Sequence, residues 1–156
     1  MNKIFIIGAA ATLGVAGLLW TTIGQTQTAA PKGGLFPYQD NNVVKVGAQI
    51  YQENCAACHG DNLQGEPDWR TRKDTGRMPA PPHDETGHTW HHKDQLLFAI
   101  TKYGLPKLMN DPNFETDMPA YEDTLTDEEI VAVLSYIKSR WPEEIQKRHD
   151  LMNAQN

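Results

Sequence analysis

The pentapeptide Cys55-Ala56-Ala57-Cys58-His59 constrains this 156-residue chain more than any other feature, because it contains the only two cysteines. The pattern C-x-x-C-H is typical of covalent c-type haem attachment. Two thiols three residues apart at the end of a helix can reach two vinyl groups of one porphyrin, and the next imidazole then lies under the iron. The sequence therefore predicts one covalent haem c, attached through Cys55 and Cys58, with His59 as an iron ligand.

Two other interpretations of the pentapeptide fit the sequence less well. A redox-active C-x-x-C is expected at the start of a helix that follows a strand, and the sequence predicts no strand before Cys55. A structural zinc site needs two further ligands at suitable spacing, and the chain has no second cysteine pair. A framework of disulfides is excluded as well, since two cysteines make one bridge at most.

The sixth ligand of the iron must come from elsewhere, and Met118 is the predicted one. It precedes a proline, lies 59 residues after His59, and comes just before a strongly capped helix. A thioether is a soft, neutral ligand that raises the potential relative to two imidazoles. Met78 also precedes a proline, but it lies on the loop expected to follow the proximal side. Met109 and Met152 fall in a loop and in the C-terminal tail.

Four histidines within ten residues form a second group of candidate ligands: His83, His88, His91 and His92. Such residues are usually exposed loop or helix-capping groups, and we expect surface or structural roles for them. The alternatives are capture of copper or zinc, and replacement of the methionine on the iron. The same segment contains residues whose indole N–H and guanidinium groups suit haem propionates, namely Trp69, Trp90, Arg70 and Arg72.

Residues 4–23 form a 20-residue run without a charge. A helix of this length spans about 30 Å, the thickness of a bilayer hydrocarbon core. Because Lys3 and the terminal amine precede the run, the N terminus should stay in the cytoplasm and the rest should be exported. We expect a retained membrane anchor over residues 1–24 and a polar linker over 25–42. The alternative is a cleaved signal peptide, which would release a soluble periplasmic protein.

Apolar spacing predicts three helices and no sheet, so the predicted fold class is all-α. The first helix begins at Val43 and carries Val46 or Gly47, Ile50 and Tyr51 on its apolar face. A glycine inside a helix costs about 1 kcal/mol against alanine, which indicates close approach of another backbone. A tolerated glycine without such a contact is an equal alternative.

The second helix spans about Lys93 to Tyr103 and ends at Gly104. The third begins at a capping box formed by Thr126 and Glu129. Its apolar positions follow at helical spacing and include Ile130, Val133, Leu134, Ile137 and Trp141.

More than thirty residues between the first two helices show little periodicity. A loop of that length inside a compact domain is uncommon, but it can wrap a large cofactor. Apolar residues make up 39% of the chain, and 17 of them lie in the first 30 positions, so the remainder is lean for a domain packed only with its own side chains. We assign residues 43–141 to one haem-containing domain and residues 142–156 to a polar helical C-terminal extension.

The net charge of −6 argues against a nucleic-acid-binding protein, which normally has a basic face. The excess of acid is concentrated in residues 111–156, with eleven acidic and four basic side chains. This distribution fits either a solvated helix face or a docking surface for a basic partner.

Taken together, these motifs resemble class I cytochrome c over residues 43–141. The run C-A-A-C-H-G-D-N-L-Q-G is similar to the family's haem motif and to the turn after it, here Gly60, Leu63 and Gly65. Gly47 and Tyr51 resemble the glycine and aromatic residue with which the family's first helix crosses its last.

The resemblance implies the class I fold, with three main helices and long loops around one haem. It also implies that a proline carbonyl accepts the His59 Nδ1–H, which orients the ring and strengthens ligation. Pro79, Pro81 and Pro82 are the candidates. The departure from the family is the long segment 66–92 with its histidines and arginines.

We expect a single-haem electron carrier that is not itself an enzyme, although it can be a subunit of an oxidoreductase complex. The expected location is the inner membrane, with the haem domain on the periplasmic side, and the expected partners are an oxidase, a reductase or a cupredoxin-like protein. One alternative is a haem site that binds a small ligand in an enzyme or sensor. The other is electron transfer coupled to copper handling by the histidines.

Overall fold

The computed structural model describes residues 34–155, so the predicted anchor and the start of the predicted linker lie outside the described residues. Five α-helices and one 3₁₀ turn follow in chain order: α1 (Asn41–Asn54), α2 (Ala56–His59), the turn Thr89–His91, α3 (Asp94–Leu108), α4 (Asp127–Ser139) and α5 (Glu143–Ala154). Residues 34–155 contain no strand, which agrees with the all-α prediction for this part of the chain. None of the helices in this range has the length and apolar character needed to span a bilayer.

Helices α1 and α4 cross at Gly47. A Cβ atom built there would overlap the carbonyl group of Ala132 in α4 and would lie 2.9 Å from the Cβ of Tyr136. One turn further along α1, the ring of Tyr51 packs against that of Tyr136, with centroids 5.4 Å apart. The glycine therefore allows two backbones to approach closely, as one of the two interpretations of its position predicted.

The buried stripe of α4 forms the centre of the core. Ile130, Val133 and Ile137 are at most 3% exposed. The predicted capping box is present: the Thr126 N–H donates to Glu129 Oε2 at 2.8 Å, and the Glu129 N–H donates to Thr126 Oγ1 at 3.2 Å. These two bonds satisfy backbone donors that the first helical turn otherwise leaves free.

Two details of the predicted helices differ from the structure. The sequence places Val46 or Gly47 on the apolar face of α1. Gly47 is buried, whereas Val46 is 47% exposed. The second helix leaves helical geometry at Gly104 as predicted, where φ is 74°, but one more turn follows through Leu108. Pro106 is compatible with that turn, because it lies near its start, where a missing N–H costs little.

The polar C-terminal extension, α5, packs into the domain more closely than its sequence predicts. His149 is 1% exposed, and its Nε2 lies 2.8 Å from the carbonyl oxygen of His92. The Asp150 carboxylate pairs with the buried Lys138 of α4 at 2.5 Å and accepts the Tyr38 hydroxyl at 2.7 Å. Burial lowers the pKa of His149, so its neutral ring can donate to a carbonyl. These contacts join the first and last described segments of the domain.

Replacing Gly47 by Ala should lower the free energy of unfolding by about 1–3 kcal/mol, the usual cost of overpacking a tight contact. The alanine has the better helix propensity, so the sign of the effect depends on the clash with Ala132. Denaturant unfolding measures the change in the free energy of unfolding. The matched control is Gln49→Ala on the exposed face of α1, which should be neutral or slightly stabilising. A Gly47→Ala variant as stable as this control would contradict the crossing.

Candidate functional site

The pentapeptide of the sequence motif consists of Cys55, directly after α1, and of the four residues of α2. The Tyr121 hydroxyl donates to the Asn54 carbonyl at 2.7 Å, just before the pentapeptide, and the Tyr51 hydroxyl donates to the Gly60 carbonyl at 2.8 Å, just after it. Burial raises the pKa of Tyr121 to about 12, so its hydroxyl remains a donor at neutral pH. Two core tyrosines thus hold the motif at both ends.

The two cysteines form no disulfide with each other, and Cys55 is half-buried while Cys58 is exposed. Burial raises the pKa of Cys55 to about 11, and the neighbouring Cys58 sulfur adds to the shift. A redox-active cysteine needs the opposite, a lowered pKa that supplies thiolate at neutral pH. The geometry therefore disfavours a catalytic dithiol.

The imidazole of His59 is buried, and within residues 34–155 only its Nδ1 has a hydrogen-bond partner. Its Nδ1 lies 2.8 Å from the carbonyl oxygen of Pro81. Since a carbonyl oxygen can only accept, Nδ1 carries the proton, and the lone pair lies on Nε2. Burial lowers the pKa of His59, and this effect outweighs that of the hydrogen bond, which raises the pKa. The neutral ring is therefore able to ligate a metal. Of the three proline candidates, the structure selects Pro81.

Backbone packing holds the Pro81 carbonyl in place. The Gly65 N–H donates to the His59 carbonyl at 2.8 Å, and the His83 N–H donates to the Leu63 carbonyl at 2.7 Å. Gly65 has φ of 69°, and a Cβ there would lie 2.7 Å from the Pro81 carbonyl carbon. The turn after the motif and the proline segment therefore pack backbone against backbone.

His83 lies directly against the predicted iron ligand. Its ring stacks on that of His59 with centroids 3.9 Å apart and an angle of 19° between the planes. Its Nδ1 lies 2.8 Å from Thr89 Oγ1, and the Trp141 indole donates to its carbonyl at 2.7 Å. Burial lowers the pKa of His83 well below the usual value. Sequence reasoning placed it in a structural or surface group and missed the stacking, although a buried indole such as Trp141 signals a polar partner nearby.

The other three histidines of the group pair with aromatic rings or with each other. His88 stacks on Trp69 at 5.3 Å, His91 stacks on Trp90 at 3.7 Å, and His92 packs edge-on against His88 at 5.4 Å. Within residues 34–155, no group of three or more His, Cys, Asp or Glu side chains is arranged to hold a metal ion. The surface and structural roles predicted for these histidines fit this arrangement better than metal capture.

The candidate propionate donors are engaged with protein groups. Trp90 Nε1 donates to the Glu85 carbonyl at 3.3 Å, and Arg72 donates to the Gly76 carbonyl at 2.8 Å. The Arg70 guanidinium lies over the Trp69 ring at 4.2 Å. These contacts do not select any of the four as a propionate partner.

Met118 lies in the loop between α3 and α4. It is half-buried, and its backbone N–H donates to Thr116 Oγ1 at 3.1 Å. Two of the rival methionines are more exposed, Met78 at 41% and Met109 at 61%. Met118 is therefore less exposed than either of these two rivals.

The described residues fit a covalent haem. His59 has a protonated Nδ1 and, among residues 34–155, no protein hydrogen bond to Nε2. The raised pKa of Cys55 does not fit a redox-active thiol, and the half-buried Met118 is a candidate second ligand. Neutral imidazole and thioether are both ligands that haem iron accepts in proteins.

Gly65→Ala should disturb this site more than Gly76→Ala. Both glycines have positive φ, 69° and 83°, so both substitutions strain the backbone. Only at Gly65 does the added methyl meet the Pro81 segment, since nothing lies within 4 Å of a Cβ at Gly76. We expect Gly65→Ala to cost about 1–3 kcal/mol more in unfolding free energy and to reduce the yield of haem-bearing protein. Equal behaviour of the two variants would contradict the packing.

Comparison with known proteins gives one distant relative. The chain is 23% identical over 103 residues to a protein of Sinorhizobium medicae named "Cbb3-type cytochrome c oxidase subunit FixP". The aligned region covers 66% of this chain and 32% of that protein, so this chain spans about a third of the relative's length. No solved structure is significantly similar to the chain.

The family comparison is more extensive. Residues 44–141, more than half of the chain, match the profile of the family described as cytochrome c. This stretch contains the C-x-x-C-H motif with Cys55 and Cys58, and also Pro81 and Met118. The predicted resemblance and the predicted covalent haem c are thereby confirmed. The chain belongs to the cytochrome c family.

Proposed function

We propose that this protein is an electron carrier with one haem c, attached through Cys55 and Cys58, and with His59 and Met118 as its axial ligands. The observation that carries the proposal is the 2.8 Å contact from His59 Nδ1 to the Pro81 carbonyl, which leaves Nε2 free on a neutral, oriented ring. When bound, the haem supplies one-electron chemistry at its iron.

The protein's own residues keep the ligation constant during that chemistry. Pro81 and the stacked His83 restrict rotation of the His59 ring. The Pro81 carbonyl also increases the electron density on the ligating nitrogen by accepting a hydrogen bond from the Nδ1–H. A ligand set that does not change between oxidation states keeps structural reorganisation small. A neutral sulfur ligand favours the ferrous state.

Residues 4–23 are proposed to anchor the domain in the inner membrane, with the haem on the periplasmic side. The charge-free run and the preceding Lys3 support this orientation. A tether keeps the haem near membrane-bound partners and raises its effective concentration there. An oxidase is the partner that the name of the distant relative favours, and the chain would then act as a subunit or donor of that complex.

Replacing Met118 by Ala should abolish the weak sulfur-to-iron absorption band of the oxidised protein and lower the midpoint potential, because the axial sulfur is lost. Absorption spectra and a potentiometric titration measure the two effects. Met78→Ala is the matched control, since Met78 also precedes a proline, and it should leave both unchanged. If the band survives in the Met118 variant and disappears in the control, Met78 is the ligand instead.

A separate experiment, carried out in the organism's own export system, tests the proposed membrane anchor. Haem-stained protein should sediment with membranes, resist extraction by high salt, and become soluble when residues 1–24 are replaced by a cleavable signal peptide. Protease added to spheroplasts should digest the haem domain, because it lies outside the cytoplasm. Release of the unaltered protein by osmotic shock would contradict the tether and favour the soluble periplasmic alternative.

A further inference from the structure

The segment 66–80 forms a loop that is closed at its base. The Glu66 N–H donates to the Ala80 carbonyl at 2.9 Å, and the Ala80 N–H donates to Glu66 Oε2 at 2.6 Å. Within the loop, the Lys73 N–H donates to the Arg77 carbonyl at 2.9 Å. Most side chains of this segment are exposed, so polar contacts rather than burial determine where the loop lies.

Two cations of this loop reach a carboxylate from another part of the chain. Arg77 NH1 lies 2.7 Å from Asp117 Oδ1, and Lys73 Nζ lies 3.5 Å from Asp117 Oδ2. Lys73 also contacts Glu66 Oε1 at 3.0 Å, so the ammonium group bridges two carboxylates. We call the four side chains of Glu66, Lys73, Arg77 and Asp117 the charge clamp.

The charge clamp connects two segments of the site. One precedes Pro81, which holds the His59 ring, and the other precedes Met118. Ala80, bonded to Glu66 at one end, directly precedes Pro81, whose carbonyl holds His59. Asp117, at the other end, directly precedes Met118. From residue 109 to 120 the loop that carries Met118 is largely exposed, so the clamp is one of the contacts that restrain its position.

We propose that Asp117, held by Arg77 and Lys73, is a positioning residue that keeps the Met118 loop closed over the iron. This inference rests on the proposed role of Met118 as the sixth ligand. A single exposed ion pair contributes little, but here one carboxylate joins two cations, and one of them, Lys73, also pairs with Glu66 at the base of the loop. Loss of the clamp therefore increases the fraction of time for which Met118 is off the iron.

The affinity for an external ligand of the iron reports the fraction of time for which Met118 is off the iron. Imidazole binds ferric haem only when the sixth position is open, so its apparent affinity rises in proportion to the open population. Asp117→Asn in the full-length haem protein should bind imidazole about threefold to tenfold more tightly than the unaltered protein, the factor expected for loss of two exposed ion pairs. Asp117→Glu, which retains the charge, should recover most of the affinity of the unaltered protein.

Glu143→Gln is the matched control, because it removes one negative charge and one ion pair, to Lys147, within α5. It should leave the affinity for imidazole unchanged. Raising the salt concentration should bring the unaltered protein towards the behaviour of Asp117→Asn and should hardly affect that variant. Equal imidazole affinities in Asp117→Asn and Glu143→Gln would overturn the clamp.

The Met118→Ala variant separates this proposal from the ligand assignment. If it loses the sulfur-to-iron band while Asp117→Asn binds imidazole like the control, Met118 is the ligand and the clamp is wrong. If Met118→Ala keeps the band, the ligand assignment itself fails. A denaturant unfolding midpoint for Asp117→Asn close to that of Glu143→Gln, together with tighter imidazole binding, shows that the effect is local to the loop and supports the clamp.

Discussion

The hydrogen bond from His59 Nδ1 to the Pro81 carbonyl is the contact on which the site depends. It fixes the tautomer of the imidazole and thereby decides which nitrogen is available to the iron. Its geometry requires the backbone of Pro81 to lie against the turn after the motif, which is possible because Gly65 has no side chain. The ring of His83 stacks on one face of the His59 imidazole and leaves its Nε2 edge uncovered by that contact.

The rest of the fold serves to hold this contact in position. Helices α1 and α4 cross at Gly47, and the motif with both cysteines directly follows α1. Trp141, two residues after α4, donates its indole N–H to the His83 carbonyl, so the C-terminal part of the domain contacts the segment that follows Pro81. The buried His149 of α5 packs edge-on against Trp141 at 4.9 Å and extends this support.

Much of this arrangement could be predicted from sequence because it depends on local patterns. The capping box at Thr126 and the break at Gly104 follow from the conformational limits of one or two residue types, and the close approach at Gly47 was one of two equal interpretations. The stacking of His83 and the burial of His149 could not be predicted, because both depend on which loops meet in three dimensions. The same holds for the choice of Pro81 over its two neighbours, and for the reach of Arg77 across to Asp117.

On the proposal made above, the neutral imidazole of His59 and the thioether of Met118 would both hold the iron of one haem. An NMR spectrum of the reduced, haem-loaded protein tests both ligands at once. We expect a slowly exchanging proton on His59 Nδ1 and a single methionine methyl, that of Met118, shifted far upfield by the porphyrin ring current. A Met118 methyl at an ordinary position, or a His59 ring without the Nδ1 proton, would contradict the account.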